Sequence, residues 1–268
     1  MKGRDSRFAT QCVRRQALQL QFISLFISWY AGSPFVSRVF LACVWVQASG
    51  TTTFMSDLGD NLAAGAPGDR ANLLSAVLRV LDEGPPPAGP SDRTRATLFA
   101  AIMDPRTVQR CVEAGAGAKV SSPSIGTIDR DILLRKDGRD GRDGGPAAFL
   151  GIPSVTVARI VHNWQGPCAV VTAERRGHTV TLVLTAKKWA FFNPQDIVSL
   201  GLVLADYRIV VLKLGMVAAA MMDAAPAPAQ NLLAESVGPS SVDIDYTVRP
   251  GVVRPIWPLD RDFDYTPR

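Results

Sequence analysis

The sequence predicts an α/β protein: a mixed sheet with a β-α-β-α start, then antiparallel strands and an extended, Pro-rich C-terminal tail. Three observations carry this. Residues 51–55 form a β-branched, apolar run that ends at Asp57, and a Gly-, Ala- and Pro-containing loop separates it from an amphipathic run. In that second run Leu74, Val77, Leu78 and Leu81 recur on one helical face. A further strand and short helix follow, and then several runs alternate in the manner of strands, one turning at Arg176-Gly177.

Taken in order, residues 1–50 stand apart from the rest. Lys2, Arg4, Arg7, Arg14 and Arg15 precede an apolar run over 17–31. A basic start and an apolar middle resemble an export signal. Gln19, Gln21 and Ser24 interrupt the run, which is short for a bilayer span. Three readings stay open: a buried or irregular N-terminal segment, an out-of-frame stretch, or a signal ending near Ala48. The expected location is the cytoplasm, or outside the cell if residues 1–48 are a signal.

The 51–83 stretch is the organising unit. Its loop carries Asp60, Asn61 and Asp69. Asp69 lies directly before the amphipathic run and is expected to cap a helix over 70–81. The loop is a structural turn or the wall of a substrate cleft. It is no phosphate loop, because neither Gly-Lys-Ser/Thr nor Gly-x-Gly-x-x-Gly is present. Gly84 and the prolines at 85–87 stop the helix, and 84–92 is a linker or turn.

Residues 96–104 read as a buried strand and 106–114 as a short helix with Pro105 at its start. The run KDGRDGRDGG at 136–145 is a charge-alternating surface loop. Residues 154–161, 169–174 and 178–186 alternate as strands, and 207–214 is a further buried strand carrying Lys213, which joins Asp60, Asn61 and Asp69 as a candidate substrate-cleft or structural residue. A helix is expected over 218–225. In the tail, Arg254, Trp257 and Asp260 are expected to form a structural clasp with the Trp257 ring buried.

Five segments resemble the C-terminal domain of the MlrC family, the microcystin-degradation proteins, which are zinc metallopeptidase-like hydrolases. DNLAAGAPGD at 60–69 is similar to the family's DNPGGGAPGD loop. Asp104-Pro105 with a helix ending in AGAGAKV, LVLTAKKWAFFNP at 182–194, ADYRIVVLK at 205–213 and RPIWPLD at 254–260 resemble family segments in the same order. The resemblance covers about residues 51–268 and divides the chain into an unmatched 1–50 and an MlrC C-terminal-like 51–268. It implies metal-dependent peptide hydrolysis for the family, with the zinc ligands in a catalytic domain N-terminal to this one. That domain is expected to be absent here, so the partner the resemblance implies is a separately encoded catalytic domain. The alternative is a non-catalytic remnant or binding domain.

Departures from the pattern support that alternative. Leu62, Ala63 and Ala64 replace a proline and two glycines, and KLGMVAAAMMD at 213–223 lacks the family's His, Phe and Arg. The chain has two histidines, His162 and His178, without the spacing of a zincin pair. Both are read as surface or strand-end residues. No catalytic or metal-binding residue is therefore assigned, and no cofactor is expected in this chain. Pairs such as Asp57 and Asp60 are ordinary for loops and receive no acid/base role.

Composition narrows the field further. A 47% hydrophobic content in 268 residues is enough for a sizeable core. The net charge is +5 with Arg and Asp interspersed, and aromatics are 7%, which gives no nucleic-acid footprint. The four cysteines, Cys12, Cys43, Cys111 and Cys168, are widely spaced and read as free thiols.

Overall fold

In a computed structural model the described residues are 52–83, 96–121, 125–126, 152–226, 229–236, 238–241, 253–255, 257 and 260. The readings of 1–50, of the 84–92 turn and of the 136–145 loop lie outside them.

The strands are β1 (Thr53–Asp57), β2 (Ala96–Met103), β3 (Lys119–Ser121), β4 (Ser154–Asn163), β5 (Gly166–Arg175), β6 (His178–Thr185), β7 (Ile209–Leu212) and β8 (Gln230–Ala234). The helices are α1 (Asn72–Glu83), α2 (Pro105–Ala114), α3 (Pro194–Val198) and α4 (Ala219–Asp223). All eight strands join one sheet in the order β3-β4-β5-β6-β2-β7-β1-β8. From β6 to β8 every pairing is parallel, and from β3 to β6 every pairing is antiparallel. The mixed α/β sheet read from the sequence is the one observed.

Side-chain alternation divides the core into two layers. Met55, Ile209, Val211, Leu182 and Leu184 face one way, and Leu74, Val77, Leu78 and Leu81 of α1 pack on that side with Val108 and Cys111 of α2. Phe54, Leu98, Val210 and Leu212 face the other way, against Trp189, Phe191, Ile197 and Met221. The Trp189 and Phe191 rings pack tilted, with centroids 4.4 Å apart.

Three local features follow the sequence closely. Asp104 caps α2, accepting from the Thr107 amide at 2.9 Å, with Pro105 at the first helical position. The β5–β6 hairpin turns at Arg176 and Gly177, both with positive φ (46° and 84°), as a tight hairpin of primed type requires. The strand over 207–214 is present as the fully buried β7.

Others differ. The first helical bond of α1 runs from the Ser75 amide to the Ala71 carbonyl at 2.9 Å. Ala71 is therefore the cap position by backbone, two residues beyond Asp69. The chain bends at Gly68, which has φ of +80°, and enters the helix later than the carboxylate suggests. The helix near 218–225 is real but spans only Ala219–Asp223. His178 is the strand-end residue expected, opening β6, but it is buried, because β5 and β6 pair down to Arg175↔His178 and Arg175 reaches back to Asp82 on α1. His162 is exposed, as expected. Finally, β8 goes unpredicted from sequence: QNLLA is short, has no β-branched residue, and pairs in register with β1.

The crossovers place the polar groups. The β1–α1–β2 connection steps over β7 on the α1 side of the sheet, and β7–α4–β8 steps over β1 on the opposite side. The chain thus leaves the neighbouring strands β1 and β7 toward opposite faces. In open α/β sheets that divergence makes a crevice at the carboxyl ends of the strands.

Candidate functional site

The carboxyl ends of β1 and β7 bring three charges together. Lys213 directly follows β7, Asp57 ends β1, and Asp60 follows it in the next loop. Lys213 Nζ donates to Asp60 Oδ2 at 2.7 Å, to Asp57 Oδ2 at 3.1 Å and to the Arg70 carbonyl at 2.7 Å. Its three donors are all used. The side chains are 4% (Lys213), 2% (Asp57) and 0% (Asp60) exposed, so the cluster is removed from water. Buried charges are retained in proteins when paired and hydrogen-bonded, and these are. Burial by itself would push the Lys213 ammonium down, but the charges of Asp57 and Asp60 outweigh it and hold its pKa above the ordinary lysine value.

The carboxylates have further partners. Asp60 Oδ1 accepts from the Gly68 amide at 2.8 Å and Oδ2 from the Arg70 amide at 2.7 Å. The Ser236 hydroxyl, just beyond β8, donates to Asp57 Oδ1. Asn61 works differently: its Oδ1 accepts from the Ala63 amide at 2.9 Å and caps the short 3₁₀ turn over Leu62–Ala64. Asp69 lies 3.7 Å from the Arg70 guanidinium, partly exposed and outside the cluster.

Two glycines allow the segments to meet. A Cβ on Gly59 would fall 1.9 Å from the Ser236 carbonyl oxygen, and one on Gly238 would fall 2.1 Å from the Gly59 carbonyl oxygen. Backbone touches backbone there, which only glycine permits. Ser240 completes the seam, with its hydroxyl accepting from the Asn61 amide at 2.8 Å and donating to the Leu58 carbonyl at 2.7 Å.

Of the residues singled out from sequence, the structure brings Asp60 and Lys213 into contact, sets Asn61 beside them, and leaves Asp69 at the rim. Asp57 and Ser236 were missed as partners. A signal for Asp57 was available: a lysine closing the apolar run IVVL must be buried, and a buried lysine needs a carboxylate. Ser236 had no signal, because β8 itself was not legible.

The tail corrects a second expectation. Trp257 is 68% exposed, so its ring is not the buried anchor of a clasp. Arg254 and Asp260 instead pair with each other, Arg254 Nε donating to Asp260 Oδ2 at 2.5 Å. A pair six residues apart closes the tail on itself and pulls no ring into the core.

No other cluster competes. Among the described residues no group of three or more His, Cys, Asp or Glu side chains is placed to hold a metal. Cys111 and Cys168 are buried thiols, and burial pushes Cys168 up to about 11, far from a thiolate at neutral pH. Asp82 is held below the usual carboxylate range by its hydrogen bond to Arg175. No described helix is long and apolar enough to cross a membrane.

Comparison with known proteins agrees with the motifs. Residues 55–135 match the family described as the MlrC C-terminus. The later segments, at 182–194, 205–213 and 254–260, lie beyond that match. The fold is similar to the crystal structure of a candidate metallopeptidase from Mesorhizobium sp. BNC1, with a TM-score of 0.58 and 18% identity. The alignment covers 85% of this chain and 42% of that one, so this chain spans less than half of the neighbour's length. At that identity the likeness is one of fold. No curated protein matches.

Proposed function

We propose that this chain is the C-terminal supporting domain of an MlrC-type, metal-dependent peptide hydrolase, and that it carries no catalytic metal site of its own. The observation that carries this is the state of the β1/β7 strand ends. That is where an open α/β sheet ordinarily holds a ligand. Here its charged groups are spent on one another, every donor of Lys213 is used, and the groups are shut from water. Such a cluster fixes backbone; it does not activate water or accept a proton from a substrate.

In this reading the zinc belongs to the family's catalytic domain, and this domain packs beside it and walls the substrate cleft. Peptides of the microcystin kind are the substrate class that the family name suggests. Nucleic acid and membrane are not partners, and the working location is the cytoplasm. The reading of a non-catalytic remnant is favoured by one observation: 213–223 lacks the His, Phe and Arg of the family pattern.

The test uses untagged full-length protein. Metal analysis after mild chelation is expected to give well under one zinc per chain, and added zinc is expected to produce no peptide hydrolysis. Stoichiometric zinc that resists the chelator would overturn the proposal. Mixing with the catalytic domain of an MlrC-type hydrolase, followed by sedimentation, separates the two readings. A complex supports the supporting domain, and its absence supports the remnant.

A further inference from the structure

We propose that the layer formed by 189–207 and 214–225, on the face of the sheet opposite α1 and α2, is the surface that docks the zinc-binding catalytic domain. This rests on the reading of the chain as a supporting domain and says which of its faces does the supporting.

The two faces of the sheet are finished differently. On the α1 side, Leu73, Ala76 and Val80 are buried as fully as the rest of that helix, and Val112 on α2 is the large apolar side chain left exposed among the described residues. The opposite layer buries Phe191, Ile197, Leu204 and Met221 against the sheet, yet Phe192, Val198, Val203 and Met216 stand in solvent. Leu233 joins them, because Leu232 and Ala234 on either side of it in β8 pack toward α1. These five side chains are 45–77% exposed. Large apolar side chains gathered on one face mark an interaction surface, whereas scattered ones do not. The face is also held firm. Beyond α3 the Gly201 amide donates to the Val198 carbonyl at 2.8 Å and the Leu202 amide to the Ile197 carbonyl at 3.3 Å, while Arg159 of β4 donates to the Leu200 carbonyl at 2.8 Å. A surface already ordered binds without the cost of ordering it.

Charge selects the occupant. The two stretches contain no Lys or Arg, and their charges are Asp196, Asp206 and Asp223, in a chain whose net charge is +5. Two copies meeting through this face about a twofold axis would set acid against acid. The surface it fits is therefore a different one, apolar at its centre and basic at its rim. The fold neighbour supplies a body of the right size: 42% of its chain is covered, so more than half of that chain lies outside the shared fold. Domains joined in one chain bury roughly 600–1,500 Å² against each other, and their contacts are apolar patches with a polar surround.

Sedimentation of the untagged full chain with the catalytic domain of an MlrC-type hydrolase tests this. Val198→Lys and Val203→Lys should each raise the Kd at least ~10-fold, because a lysine inside an apolar contact is desolvated without a partner. Val112→Lys, on the other layer, should change it by less than about twofold. Asp206→Lys should weaken the complex and flatten its salt dependence. All these positions are exposed, so melting temperatures should stay at the natural value, and Phe192→Gln replaces any lysine variant that does not fold. A complex indifferent to the Val198, Val203 and Phe192 variants would overturn the assigned surface and leave the supporting-domain reading standing. No complex with the natural chain would overturn both. A dimer of the chain alone that Val198→Lys dissociates would put a second copy on this face and overturn the proposal.

Discussion

Lys213 shows how much can depend on one residue at the end of a buried strand. A four-residue apolar run carries it into the interior, where its charge is tolerated only because two carboxylates and a carbonyl meet it. Lys213→Met should cost about 3–5 kcal/mol in urea unfolding, since it strands a buried pair of like charges. The pH dependence has a definite sign. The folded pKa lies above the ordinary lysine value, so the contribution is complete below that ordinary value and is lost as pH rises through the higher folded one. Urea midpoints measured from neutral pH into the alkaline range should show this step in the natural protein and not in Lys213→Met. The two aspartates of the loop should behave differently. Asp60→Ala should cost about 3 kcal/mol or more, while Asp69→Ala should cost clearly less, because Asp69 is partly exposed and Asp60 is fully buried against Lys213. Similar losses from both, measured by denaturant titration, would contradict the assignment.

At the scale of elements, the seam between the β1–α1 loop and the segment after β8 depends on what glycine lacks. Gly59→Ala places a methyl group 1.9 Å from the Ser236 carbonyl oxygen, and neither backbone can retreat without breaking the Asp57–Ser236 or Ser240–Gly59 bonds. A loss of about 2 kcal/mol or more is expected, of the size that overpacking produces. Gly65→Ala is the comparison: its Cβ has open space, but the positive φ makes a smaller penalty of about 1 kcal/mol. Thermal melts of the two variants rank them. The same seam explains the limit of reading elements from sequence. Strands β2, β5, β6 and β7 and helices α1 and α2 announce themselves by periodicity and by Pro105 and Asp104. β8 does not, because QNLLA forms a strand only where β1 offers it an edge.

For the molecule as a whole, one sheet separates two apolar layers, and the Trp257 ring belongs to neither. Trp257 is exposed, so in a variant with the other four tryptophans replaced by Phe its emission should be red-shifted and freely quenched. Trp257→Ala should leave the melting temperature nearly unchanged. A blue-shifted, protected Trp257 would restore the clasp.

Taken alone, the sequence determined the class of the fold, the order of most elements, the Arg176-Gly177 hairpin, the helix start at Pro105 and the resemblance to the MlrC C-terminus. Each is a local property, readable from residues near one another in the chain. Tertiary structure decided what sits beside what. It put β7 between β1 and β2, added β8 to the edge, and carried Lys213 to Asp57 and Asp60, more than 150 positions away in the chain. It also started the helix's amide ladder at Ala71, buried His178 and left Trp257 exposed. The physical reason is common to all of these. Burial and charge pairing are set by neighbours across the sheet, and a single chain's periodicity reports which face a residue takes but not which strand lies next to it.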